Sequence, residues 1–331
     1  MATISMRPIS SVGFRYDQAQ HLLNRAGFGG TPEQIQKLVG LGPKAAVDFL
    51  VDYEQIQDNA PAIEIDPDIM RPPTEEERRA RRRARKENDE KTLGEIRKQR
   101  MERQKADRRQ LAELRQWWFR RMTVTNRPLE EKLTLLWHDH FAVNYRGCED
   151  AFLLYQQNQM FRKNAAGNFA DLALGIVRDP AMIVFLNNDR NRKQSPNENL
   201  ARELMELFTL GVGNYSETDI KEGARALTGY HRDDNDFRFA KYAHDESTKT
   251  ILGNRGAYNG DAFVKICLAQ SACSEFIAFK LYRHFVADVP DFDDLTREQE
   301  LVVKRLAADL RRHQYELKPV LKELFLSKHF Y

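Results

Sequence analysis

The sequence predicts a mainly α-helical globular protein, a bundle-like packing of many helices with one small β-hairpin near 237–252. Three observations carry this. Helix start signals recur along the chain, glycines stand where the helices should stop, and only one stretch alternates as a strand does.

In chain order, the helix through His21-Leu22-Leu23 should end at Gly27, Gly29 and Gly30. Thr31-Pro32-Glu33-Gln34 then supplies a hydroxyl cap, a proline at the first helical position and a glutamine at the third, which together satisfy free amide donors. The same grammar recurs in Ser195-Pro196-Asn197-Glu198, Ser216-Glu217-Thr218-Asp219 and Thr296-Arg297-Glu298-Gln299. Further helices should begin at Pro128 and at Asp179-Pro180, and Gly211 and Gly213 should close the helix through Leu204–Leu210. Phe237 and Phe239 alternate with charged neighbours, and Lys249–Leu252 is the expected partner strand across the polar turn Asp245-Glu246-Ser247.

The 331 residues are read as one helical domain spanning 1–331, with a charged helical or disordered insertion at about 61–110. Within Glu75–Arg109 there are 15 basic and 9 acidic residues, an excess larger than the +3 of the whole chain, so the remainder is net negative. Almost nothing apolar lies in this window, which predicts a solvated, projecting helix behind the Pro-rich stretch Pro61–Pro73. Its arginines could attract phosphate, but no groove-reading module accompanies them, and Trp117, Trp118 and Phe119 follow the run instead of interleaving with it; nucleic acid is therefore not the expected partner.

Runs such as Ala181–Leu186 are core-sized, well short of the ~18–20 apolar residues a membrane-spanning helix needs. Met1–Phe14 has no apolar leader region, so a soluble, cytoplasmic protein is expected. Cys148, Cys267 and Cys273 lack the close spacing of metal or redox motifs and are read as buried free thiols. There is no phosphate-binding glycine loop, no G-x-S-x-G elbow and no H-E-x-x-H, and Ser11, Ser195 and Ser216 read as turn or cap residues.

Three places could carry chemistry. In Trp137-His138-Asp139-His140-Phe141, imidazoles offer both metal ligands and proton carriers, but two residues of spacing set them about 200° apart on a helix, so they share one ion only if the helix ends or loosens. On the helix 197–210, Asn199, Glu203 and Glu206 fall at about 0°, 40° and 340°, a narrow polar stripe with Arg202 beside it and Leu200, Leu204, Leu207 and Phe208 opposite. Pointed inward, such carboxylates form the acidic wall of a bundle metal site; pointed outward, they are surface. Glu198 is set aside as the third residue of the box beginning at Ser195. In His244-Asp245 the carboxylate could orient the imidazole, or the pair could serve a turn. His231 is a loop histidine, and His21 and His284 are read as packed or surface residues.

Taken together, His21–Gly29, Trp137–Phe141, Pro196–Gly211, Tyr215–Glu217, Ala224–Gly229, His244-Asp245, Lys249–Gly253 and Lys280–Val286 closely resemble the bacterial family catalogued as domain of unknown function 1800. The resemblance runs in order along most of the chain. It implies a mainly helical fold and no established activity, and it implies a partner in a sulfatase-like family often encoded nearby. It also implies that many relatives are exported, that relatives continue past the point matching Phe330-Tyr331, and that the charged window is an insertion between matching blocks.

The leading expectation is an enzyme whose site joins His138 and His140 to Arg202, Glu203, His244 and Asp245. A divalent metal is its candidate cofactor, with His138, His140, Glu203 and Glu206 as ligands. The alternatives are a non-enzymatic scaffold or partner-binding protein whose polar residues form a satisfied buried network, and a binder of nucleic acid or anionic surfaces through the basic segment 78–109.

Overall fold

The computed structural model describes residues 6–331, so the start of the Met1–Phe14 segment lies outside the described residues. Helix accounts for 64% of the chain, with fifteen helices and two small two-stranded antiparallel sheets among the described residues, which makes the fold mainly α.

Helices α1 (Tyr16–Ala26) and α2 (Pro32–Val51) pack as a pair, and Gly42 (φ +75) with Pro43 kinks the second. The pair α3 (Glu75–Glu87) and α4 (Glu90–Val124) follows, then α5 (Pro128–His140), the single turn α6 (Tyr145–Cys148), α7 (Ala151–Lys163), α8 (Phe169–Val177) and α9 (Pro180–Phe185). The segment α10 (Asn199–Glu203) runs directly into a π-helical turn, Leu204–Thr209, and α11 (Glu217–Ala226) leads to the sheets. Helices α12 (Gly260–Leu268), α13 (Ser271–Phe285), α14 (Arg297–Arg312) and α15 (Leu317–Leu326) complete the chain. One continuous apolar core reaches from Phe14 to Phe330, and His21 Nε2, 2.9 Å from the Phe330 carbonyl oxygen, ties the last residues back to α1.

The start signals at Thr31, Ser216 and Thr296 all form reciprocal capping boxes, with Gln34, Asp219 and Gln299 respectively. Asp179 caps α9 through the Met182 amide. The fourth expected box does not form. Ser195 pairs with Arg192 in an isolated bridge, Asn197 Oδ1 accepts the Asn199 amide, and the helix begins only at Asn199. Glu198 stands at the cap position with its carboxylate 3.3 Å from Arg202, so its reason for being there is an ion pair and not a box.

The hairpin expectation is corrected in its pairing. β1 (Tyr230–Asp233) pairs with β2 (Asp236–Phe239) across a two-residue turn, Asp234-Asn235, that admits a positive φ at Asp234. β3 (Lys249–Ile251) pairs with β4 (Asn254–Gly256) across Leu252-Gly253, both at positive φ. Tight local turns thus captured each strand before the longer 240–248 connection could close. That connection is held elsewhere: Asp245 accepts a 2.7 Å bond from Arg225 Nε on α11.

The charged window is helical throughout α3 and the first half of α4, and Arg78, Arg81, Arg82 and Arg85 are all exposed. Pro61–Pro73 is strapped along α4: Trp117 Nε1 donates to the Pro61 carbonyl (2.6 Å), Gln110 Oε1 accepts from the Asp66 amide (2.7 Å), and Arg103 binds the Ile69 and Arg71 carbonyls. Where α4 meets the body, a buried ionic network joins it to α5 and α7. Glu131, fully buried, accepts from Arg121 Nε and Arg162 Nε at 2.5 Å each and from Trp118 Nε1 at 2.9 Å, while Arg121 also reaches Asp58 (2.6 Å) and Glu130 (3.3 Å).

Candidate functional site

Helix α5 sends its two histidines to different neighbours, as their spacing requires. His138, half-buried, packs edge-on to Trp118 with ring centroids 5.0 Å apart; burial lowers its pKa, with Asp139 acting in the opposite direction. His140, only 8% exposed, is enclosed by Trp137, Phe141, Phe169, Phe208 and Phe276. Its Nε2 lies 3.0 Å from the Phe208 carbonyl oxygen. A carbonyl only accepts, so the imidazole proton is on Nε2 and Nδ1 is a lone-pair acceptor. Nδ1 is buried and meets no donor. Burial, reinforced by the Lys280 charge, pushes the pKa of His140 down to about 3, so the ring is neutral near pH 7.

The carbonyl that fixes this tautomer belongs to the π-helical turn. Widening the helix to i→i+5 bonds rotates Leu204–Thr209 relative to an ideal wheel and frees backbone groups for outside partners. Here the Leu204 carbonyl takes the Thr209 hydroxyl and the Phe208 carbonyl takes His140.

Basic side chains of α1, α5 and α13 lie near His140 and His284. Arg25, at the end of α1, donates from Nε to the Phe285 carbonyl (2.6 Å) and from Nη2 to the His284 carbonyl (3.2 Å), closing the C-terminus of α13 with a cation. This approach needs Gly27, because a β-carbon there would sit 2.9 Å from Pro128 Cβ at the start of α5. Lys132 on α5 lies 5.2 Å from the Phe28 ring centroid, and Lys280 on α13 lies 5.0 Å from that of Phe276. Burial and then the Arg25 charge lower the pKa of Lys132, while burial and then Arg283 lower that of Lys280 against the pull of Asp139. His284, one turn beyond Lys280, has a buried Nε2 with no partner, and burial together with Lys132 and Arg25 brings its pKa down to about 4. Arg25 and Lys132 therefore lie near His284, Lys280 lies near His140 and Arg283, and Asp139, which is exposed, acts on both Lys280 and His284.

The expected carboxylate wall does not join these residues. Glu206 accepts the Tyr215 hydroxyl at 2.5 Å, and Glu203 is half-buried without a hydrogen bond, its carboxyl raised by burial and by Glu206. Arg202 makes a bidentate pair with Glu217 at 2.8 and 2.9 Å. His244 is buried with Nδ1 2.8 Å from the Thr228 carbonyl oxygen, and burial lowers its pKa. Burial would raise the Asp245 carboxyl, but Arg225 and Ser247 hold it well below its ordinary value. Both residues anchor the 240–248 connection to α11 instead of meeting His138 or His140. Among the described residues no three His, Cys, Asp or Glu side chains lie together as a metal ion requires, so the set His138, His140, Glu203 and Glu206 is not assembled. The residues present do not fit a divalent cation, and the basic side chains nearby carry the charge that would repel one.

Sequence reasoning missed Arg25, Lys132 and Lys280, and read His284 only as a packed or surface residue. Their signal was present as Lys132 and Asp139 two helical turns apart on α5, and as Lys280 and His284 at i, i+4 on α13, each pair among apolar residues.

Fold and side chains together define a mainly helical protein in which basic residues from distant segments, Arg25, Lys132 and Lys280, lie near buried histidines. The chain belongs to the family described as "Protein of unknown function (DUF1800)", whose model matches residues 21–331. No curated protein and no solved structure matches it. Among the described residues no single helix is long and apolar enough to cross a membrane.

Proposed function

We propose that the basic side chains of α1, α5 and α13 bind a small oxyanion, a carboxylate, phosphate or sulfate group, on a molecule that also carries a hydroxyl. The carrying observation is a pair of partly desolvated lysines without an ion-pair partner among the described residues, Lys132 near His284 and Lys280 near His140, where each imidazole has a buried nitrogen with no hydrogen-bond partner there. Desolvated like charges repel one another, and an anion seated beside them would offset that cost. The lysines would hold the anionic group, and the His140 Nδ1 lone pair would accept from the ligand hydroxyl, with His138 and Asp139 at the rim as the groups able to move a proton.

Calorimetric titration with inorganic phosphate and with sulfate, at ionic strength matched with chloride, tests this reading. Binding should weaken by about tenfold or more in the Lys132→Gln, Lys280→Gln double variant, equivalent to about 1.4 kcal/mol or more. No heat beyond the chloride control, or equal binding by the variant, would remove the proposal.

The scaffold reading has its own support in the network around Glu131, which sequence reasoning did not find. It joins the α3–α4 pair to the body and is satisfied without any ligand.

A further inference from the structure

A second site opens on the far side of the β1–β2 hairpin. A cleft of about 200 Å³ is walled by Gln156 and Met160 of α7, by Arg178, Asp179 and Pro180 between α8 and α9, and by Asn235, Asp236 and Phe237 of the hairpin. Asp179 is only 6% exposed. Its Oδ2 accepts from Gln157 Nε2 (2.7 Å) and from the Met182 amide (2.8 Å), whereas Oδ1 accepts from nothing.

Capping α9 explains only half of this carboxylate. One oxygen is enough for a cap, and asparagine would supply it as well without burying a charge. Arg178, the nearest cation in the wall, does not neutralise Asp179, because its guanidinium is committed to Asp261 through both Nε and Nη2. Burial accordingly drives the Asp179 carboxyl up to about 7.

The neighbouring amides add acceptors. Gln157 is 1% exposed and gives its NH₂ to Asp179, which fixes its Oε1 as an acceptor, and that oxygen is buried without a partner. Asn235 gives its NH₂ to the Pro67 carbonyl (3.2 Å), which fixes its Oδ1 in the same way, also buried and unpartnered. Gln156, which lines the cleft, adds a further buried and unpartnered Oε1, so three oxygen acceptors of lining residues, on Asp179, Gln156 and Asn235, gather beside the Phe237 ring.

We propose that this cleft binds a primary ammonium group, its three N–H donors directed at Asp179 Oδ1, Gln156 Oε1 and Asn235 Oδ1, with the Phe237 ring beside it. An alkylammonium supplies three donors and one positive charge on a stem slim enough for the space, and an aromatic face favours a cation. The site is separate from the basic side chains near His140 and His284, which would repel such a ligand.

The test titrates the full chain with putrescine, a free amine, and with Nα-acetyl-lysine methylamide, a stand-in for a lysine side chain, followed by calorimetry. At least one should bind the wild type, and the one that binds identifies the source of the ammonium group. Asp179→Asn keeps the cap, so a thermal melt should match the wild type while amine affinity falls by about tenfold or more. Asn235→Ala should weaken the same amine without touching phosphate binding at those basic side chains. Failure of both amines to bind, or undiminished binding by Asp179→Asn, would overturn the proposal.

Discussion

Replacing Glu131 with alanine should be among the most damaging single changes away from the apolar core. Burial alone would raise this carboxyl, but hydrogen bonds and charge from Arg162 and then Arg121 overcome it and hold the pKa below the ordinary 4.5. Removing the carboxylate deprives Arg162 of its only acidic partner among the described residues, at 8% side-chain exposure, and leaves the Trp118 indole N–H without its acceptor. Arg121 is partly protected, since it keeps Asp58 and Glu130. An uncompensated buried charge costs about 3–5 kcal/mol, so Glu131→Ala should lose about 4 kcal/mol. Glu131→Gln, which keeps one acceptor oxygen, should lose about 2 kcal/mol. Urea unfolding, followed by tryptophan fluorescence and far-UV circular dichroism together, measures both. A depressed folded-state pKa stabilises at pH values above the unfolded pKa and is lost as pH falls through the folded value, so the wild-type advantage should be full near neutrality and shrink below about pH 4.5. A loss under about 1 kcal/mol at neutral pH, or one unchanged in acid, would refute the reasoning.

Other expectations follow from packing. Gly223→Ala would place a β-carbon 2.6 Å from Phe263 Cζ, a buried ring with no slack, and should cost about 1–3 kcal/mol in the same urea assay. Thr296→Ala removes one half of the capping box on α14 and should cost about 1 kcal/mol; no measurable change would show that solvent replaces the cap. Cys148, Cys267 and Cys273 are all buried, and burial pushes the Cys273 thiol up to about 12. A thiol-specific chromogenic disulfide should therefore leave the native chain unmodified and react with all three after unfolding; rapid native labelling of any of them would contradict the burial.

Legibility in the sequence tracked the range of the interaction. The boxes at Thr31, Ser216 and Thr296 are closed by atoms three residues apart, and they formed as read. Ser195 carried the same letters but met a longer-range competitor. Asn191 donates to the Ala224 carbonyl and accepts the Asn197 amide, which holds the 191–197 loop in a fold incompatible with a helix starting at Pro196. The strand pairing failed for a related reason. The local turns at Asp234-Asn235 and Leu252-Gly253 are short enough to win over a longer loop, and Asp233-Asp234-Asn235-Asp236 is a turn signal that the alternation of Phe237 and Phe239 obscured. The charged window, read as helical or disordered, is helix, but the point where α4 enters the body was not legible, since Arg121 and Glu131 look like surface residues until both are seen facing Arg162.

The site was legible as residues but not as an assembly, and the π-helical turn shows why. An ideal wheel places Glu203 and Glu206 on one stripe with Asn199, and that stripe exists only if the helix holds 3.6 residues per turn from end to end. The chain departs from this at Leu204, and the insertion of one residue per turn sends Glu206 to Tyr215 while presenting the Phe208 carbonyl to His140. The bond that replaces a carboxylate-to-metal contact is thus a backbone carbonyl holding a neutral imidazole, whose Nδ1 is buried without a partner among the described residues. If that bond sets the tautomer, His140→Asn should keep a donor for the Phe208 carbonyl and preserve the fold, yet lose the ring acceptor that the oxyanion proposal requires. Melting temperature and phosphate affinity should then separate in the variant, with the first retained and the second reduced. A variant that loses both together would mean that His140 serves packing alone.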